Sequence, residues 1–142
     1  MKNLTIDQIC EAALDLALEK FGSLEIFYDD SGSKKIGSEL KNNKEKTIKA
    51  TQDGFDVKFG AVALETNVED FKREYLESEI TNLISNIKKD IKTSPLITAN
   101  LPIMDGESRC TVKVKNGLSL RAWKASNIKN DSILLRIDIL YG

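Results

Sequence analysis

The chain has 142 residues, a length that suits one domain able to build a core without disulfide or metal staples. Its 21 Lys and Arg stand against 22 Asp and Glu, and the formal charge of −1 argues against a dedicated nucleic-acid binder, which needs net cation density against phosphate. It contains no histidine, so the usual base of a Ser or Cys triad, the commonest zinc ligand and the usual titrating switch near neutral pH are all missing.

The opening run Met1-Lys2-Asn3-Leu4-Thr5 lacks the unbroken apolar stretch of a signal peptide, and no segment approaches the roughly 20 apolar residues that span a bilayer. The expectation is a cytoplasmic protein, or a virion component made inside a host cell, with no membrane contact. Thr5 caps a first helix, Gln8 stands three residues on as its capping-box partner, and Leu4 and Ile9 occupy the hydrophobic-staple positions. Ile6, Ile9, Cys10, Ala13, Leu16, Ala17 and Phe21 recur at helical spacing, Leu14 and Leu18 widen the stripe, and Gly22 ends it. So wide an apolar face predicts contacts on more than one side.

Residues 24–28 read as a strand. The stretch 29–46 is rich in Ser, Gly, Lys, Asn and Glu and reads as a long exposed loop, either a contact segment or a solvated insertion. Asp53-Gly54 then reads as the turn of a hairpin that sets Ile48 against Phe59 and Ala50 against Val57, with Gly60 marking a bulge or bend in an extended strand that continues through 61–64. Asn67 caps a second helix over 68–92, whose buried stripe is Phe71, Leu76, Ile80, Leu83, Ile84, Ile87 and Ile91.

The last third is β. Pro102 confines the segment 96–103 to a sheet edge or a strand end. Around Asn116-Gly117, a two-residue turn would set Val114 against Ser119 and mix polar with apolar residues. A three-residue loop with Gly117 in a G1 bulge instead pairs Val114 with Leu118, Val112 with Leu120 and Cys110 with Ala122, and is the register expected of a half-buried sheet. A final strand, 132–141, buries Ile133, Leu135, Ile137, Ile139 and Tyr141 and turns Arg136 and Asp138 outward.

Sites of chemistry are sparse. Gly32 and Gly37 have P-loop spacing, yet Ser38 and Glu39 stand where a phosphate-gripping Lys and a magnesium-binding Ser or Thr are required. Asp29-Asp30 and Asp105-Gly106-Glu107 read as solvated turn acids without calcium-loop spacing. Cys10 and Cys110 fall on apolar faces and read as small buried hydrophobes. No catalytic residue, metal ligand or cofactor is assigned.

The candidate site is instead a protein interface. Trp123, the one tryptophan, is placed on the outer sheet face beside Arg109, Arg121 and Lys113, with Arg109 in reach for a cation–π contact of about 0.5–1 kcal/mol. Either Trp123 is exposed to a partner, or the 96–103 segment or second helix covers it.

The expected fold is α+β, a single domain over 1–142 with an antiparallel sheet of about five to seven strands and two helices on one face. An amphipathic helix at Thr5 to Phe21, a second helix in the middle and a closing strand at Ile133 to Tyr141 resemble, in order and length, the small tail-terminator and tail-completion proteins of phages. The resemblance implies a ring-forming structural protein whose sheet edges and loops contact neighbouring subunits. It transfers no residue. The expected function is a non-enzymatic structural or assembly protein acting by self-association or on a protein partner. The alternative is an inhibitor or regulator, such as an immunity, anti-defence or chaperone-like module.

Overall fold

The first helix, α1 (Ile6–Phe21), begins where its cap dictates in the computed structural model, which describes residues 3–29, 39–41, 47–91, 95–104, 109–127 and 129–142. The Thr5 hydroxyl accepts the Gln8 N–H at 3.2 Å, and Gln8 Oε1 accepts the Thr5 N–H at 2.9 Å. Leu4 and Ile9, the staple pair, are both buried. Gly22, at φ +66°, closes the helix by donating its N–H to Leu18.

Among the described residues eight strands follow or flank the helices: β1 (Ile26–Asp29), β2 (Glu39–Lys41), β3 (Thr47–Lys49), β4 (Thr51–Gly60), β5 (Leu96–Ala99), β6 (Cys110–Lys115), β7 (Leu118–Asn127) and β8 (Ser132–Tyr141). Six of them make one mixed sheet with β8 at its centre. β8 pairs along its whole length with β4; on its other side it pairs with β7 through Asp138 and then with β5 at Leu140 and Tyr141. β6 extends the β7 side, and β1 runs parallel to β5, so the expected antiparallel sheet is mixed at this one pair. β2 and β3 form a separate two-stranded ribbon.

The second helical stretch opens on the predicted cap: Asn67 Oδ1 accepts the Asp70 N–H at 2.8 Å. It runs as α2 (Val68–Phe71), a π turn over Lys72–Leu76, and α3 (Glu77–Asp90). The π turn inserts one residue into the helical repeat, and with that shift Phe71, Leu76, Ile80, Leu83, Ile84 and Ile87 all fall inside. α1 lies across β6 and β7, α3 lies over β4, and the two helices touch each other, so both cover one face of the sheet. The main core lies between them and includes all five predicted β8 residues, Ile133, Leu135, Ile137, Ile139 and Tyr141.

Several expectations from the sequence are overturned. Asp53-Gly54 makes no hairpin, because both sit inside the ten-residue strand β4, opposite Ile139 and Asp138 of β8. Glycine is required there by close approach: a Cβ at Gly54 would lie 2.6 Å from the Cβ of Asp138. Ile48 accordingly pairs with Leu40, not with Phe59, and Ala61–Leu64 is a 3₁₀ turn and not a strand.

The first part of 96–103 is an internal strand, since β5 is wholly buried between β1 and β8; Pro102 lies beyond its end. Within the stretch read as a long exposed loop, Asp29 is buried at the end of β1 and residues 39–41 form β2, which pairs with β3. The glycine-spaced run Gly32 to Ser38, Asp30, and the acids at 105–107 lie outside the described residues.

The turn between β6 and β7 has two residues. Asn116 (φ +51°) and Gly117 (φ +85°) fit a type I′ turn, and Lys115 faces Leu118, Val114 faces Ser119 and Cys110 faces Trp123. The three-residue alternative assumes that β7 has one wet face, whereas Leu118 through Ala122 are buried without a break. Asp138, expected to point outward into water, is buried for the same reason: the outer face of the sheet has a cover of its own.

Candidate functional site

The side chains of the outer face follow from strand alternation and register. Side by side across β4, β8, β7 and β6 run Gly54, Asp138, Arg121 and Val112; the next row is Asp56, Arg136, Trp123 and Cys110; beyond it lie Lys58, Leu134 and Ala125. These rows divide the face into a covered half and an open half.

The covered half holds a second small apolar cluster of Ala50, Ile97, Ala99, Leu101 and Leu140. Beside it Asp138, with no exposed surface, accepts Arg121 Nε at 3.0 Å and Nη2 at 2.6 Å, and also Gln52 Nε2 at 2.8 Å. Arg121 gives a further donor to the Pro102 carbonyl at 2.9 Å, which ties residues 101–104 down over the sheet. A parallel set stitches β5 to the start of β7: the Thr98 hydroxyl donates to Gly117 O at 2.7 Å and accepts the Ser119 N–H at 3.0 Å, and the Ser119 hydroxyl donates to Asn100 at 2.7 Å. Both carboxylate oxygens of Asp138 are taken by fixed donors, so this group locks strands together.

The open half begins at Trp123, which is half-buried with the Arg121 guanidinium 5.5 Å from its ring centroid. The guanidinium is held by Asp138 and Pro102, so the indole rests against a fixed cation. Beyond it Leu134 is 46% exposed and Ala125 is exposed, while Arg136 pairs with Asp56 at 2.9 Å. Val114 lies toward the covered end of the same face, opposite Ser119, and is 42% exposed; Ile103 and Met104 of the covering segment are exposed too.

Of the four residues proposed from sequence, the structure brings together two. Trp123 and Arg121 share the outer face in contact. Arg109 is exposed, and its carbonyl accepts the Lys124 N–H, but the cation over the indole is Arg121. Lys113 lies on the opposite face, because its row pairs it with Leu120 under α1; it lines a shallow depression of about 230 Å³ with Glu11, Leu14 and Lys115. Sequence reading misses Leu134, sets Val114 on the core face, and turns Arg136 outward without assigning it to the site. Leu134 has a legible signal, being an apolar residue out of phase with the alternating core set of β8.

Both cysteines, Tyr141 and Lys115 are enclosed or committed. Both cysteines are free and buried, and burial pushes the Cys10 thiol from 9.0 up to about 12. Burial, together with a hydrogen bond to Asp90 at 3.1 Å, raises the Tyr141 hydroxyl above the usual phenol range. Lys115 is raised by its hydrogen bond to Asp15 on the surface. Among the described residues no three His, Cys, Asp or Glu side chains gather as metal ligands, and no helix is long and apolar enough to cross a membrane. Comparison with protein-family models, with curated proteins and with solved structures finds no match.

Proposed function

We propose that this chain is a non-enzymatic structural or assembly protein that works through contacts between subunits, in the manner of a phage tail component. The observation that supports this reading is the open half of the outer face, where a preset Trp123–Arg121 pair is bordered by exposed Leu134. Trp and Arg are the side chains most enriched in interface hot spots, and an aromatic ring already fixed against a guanidinium loses little freedom on binding.

The test is the native mass of the purified chain and of the complex recovered from its source, compared with those of Trp123→Ala and Leu134→Asp. A defined oligomer or multi-subunit assembly that both variants weaken, by about thirty-fold or more for a hot spot, supports the reading. A monomer that binds one partner through the same face identifies the regulator or inhibitor alternative. A monomer recovered with nothing attached overturns both.

A further inference from the structure

The outer edge of β4 belongs to a ten-residue strand whose one strand partner among the described residues is β8. Long open edges invite pairing, and folded proteins usually blunt them with proline, bulges or inward-facing charge. The central run of β4, Phe55-Asp56-Val57-Lys58-Phe59, carries no proline and stays in regular register with β8 throughout. Phe55 and Val57 lie on the helix-covered face and are only half-buried there, while Phe59 is packed against Phe71 and Tyr75.

Read from either end, that run has the same pattern: aromatic, charge, Val, opposite charge, aromatic. We propose that a second copy of this chain pairs antiparallel with β4, with the two-fold axis through Val57, so that Asp56 faces Lys58 of the other copy and Phe55 faces its Phe59. In this register both helix layers fall on the same side of one continuous sheet. Moving it by two residues either way sets Asp56 against its own copy or Lys58 against its own copy, and like charges directly opposite each other are unfavourable. Charge therefore selects one register. Asp56 keeps its intramolecular partner Arg136, since Lys58 of the neighbour approaches from the edge away from β8.

The inference deepens the assembly reading, on which it rests, by naming a second copy as the first subunit contact. It also brings two open faces together, because Leu134 lies directly opposite Lys58 and Arg136 opposite Asp56 within each chain.

Sedimentation of the purified chain from the low micromolar range upward tests the pairing. The native chain is expected to dimerise. Lys58→Asp alone and Asp56→Lys alone each set like charges opposite each other twice, and each raises the dissociation constant by roughly ten-fold or more. Mixing the two variants restores complementary pairs and yields a heterodimer in preference to either homodimer. Circular dichroism of each variant checks that it is folded, and Val57→Cys gives an independent readout: the thiols meet at the axis and oxidation links two chains. A native monomer across the range, or a dimer indifferent to both charge changes and to mixing, overturns the pairing. A monomer that still enters an assembly sensitive to Trp123→Ala overturns self-pairing and leaves the assembly reading standing. A β4 dimer that forms nothing larger and takes no partner does the reverse.

Discussion

Arg121 holds Asp138 at two points, Nε to Oδ1 at 3.0 Å and Nη2 to Oδ2 at 2.6 Å, with 7% of the arginine and none of the aspartate exposed. Removing one member of such a buried pair strands the other away from water. Asp138→Ala should therefore destabilise the fold by about 3–5 kcal/mol, while replacing both by apolar residues of similar volume should recover most of that loss. Urea unfolding of the single and double variants decides it; equal losses in both would mean that the ion pair itself, and not the stranded charge, carries the energy.

Gly54 and Gly117 are required for different reasons. Gly117 combines φ +85° with a Cβ position 2.9 Å from the carbonyl carbon of Ile26, so Gly117→Val should cost roughly 2 kcal/mol or more and loosen β1 from the turn. Gly54→Ala meets no unfavourable φ but collides with Asp138 across the ladder, and a cost of about 1–3 kcal/mol is expected from overpacking. Thermal melts should show both; a normal melting temperature for Gly54→Ala would be incompatible with the β4–β8 register.

The Cys10 thiol, raised from 9.0 to about 12 by burial, makes stability depend on alkali. Below pH 9 the thiol is protonated in folded and unfolded chains alike and the term is constant. Between about 9 and 12 the unfolded chain releases the proton and the folded chain keeps it, so stability falls as pH rises, by at most about 1.4 kcal/mol per unit. Cys10→Ala should show a shallower decline over this window than the native chain, measured as the difference between the two unfolding curves at each pH. Parallel curves would rule the term out.

The capping box at the start of α1 predicts a local effect. Thr5→Ala removes the acceptor of the Gln8 N–H and should cost about 1 kcal/mol, with faster amide exchange confined to the first turn. A loss of protection spread through the sheet would point to a different role for Thr5.

Local signals carried much of this fold. Thr5 with Gln8, Asn67 at the second helical start, and the alternation from Ile133 to Tyr141 are each determined by residues within a few positions of one another, and each is present in the structure. What misled was the assumption that every strand has a wet side. Asp53-Gly54 is the composition of a turn, and nothing nearby in sequence tells that Gly54 lies flat against Asp138, 84 residues further on. Likewise Ser119 and Arg121 look like solvent-facing residues until Pro102 and Asn100 close over them. The candidate face was half legible: Trp123 and Arg121 stand out by residue type and Leu134 by its break with the alternation of β8, but the placement of Lys113 depends on the turn register.

The place of β8 in the sheet has a consequence for synthesis. β4, β5 and β7 all lie upstream of the strand that joins them, so a ribosome releases these segments before residues 132–141 exist to receive them. The nascent chain must wait with three unsatisfied ladders and the apolar sides of two helices unburied, a state in which wrong partners compete with the right one. Productive maturation then hinges on residues 132–141, the one segment that all three earlier strands await.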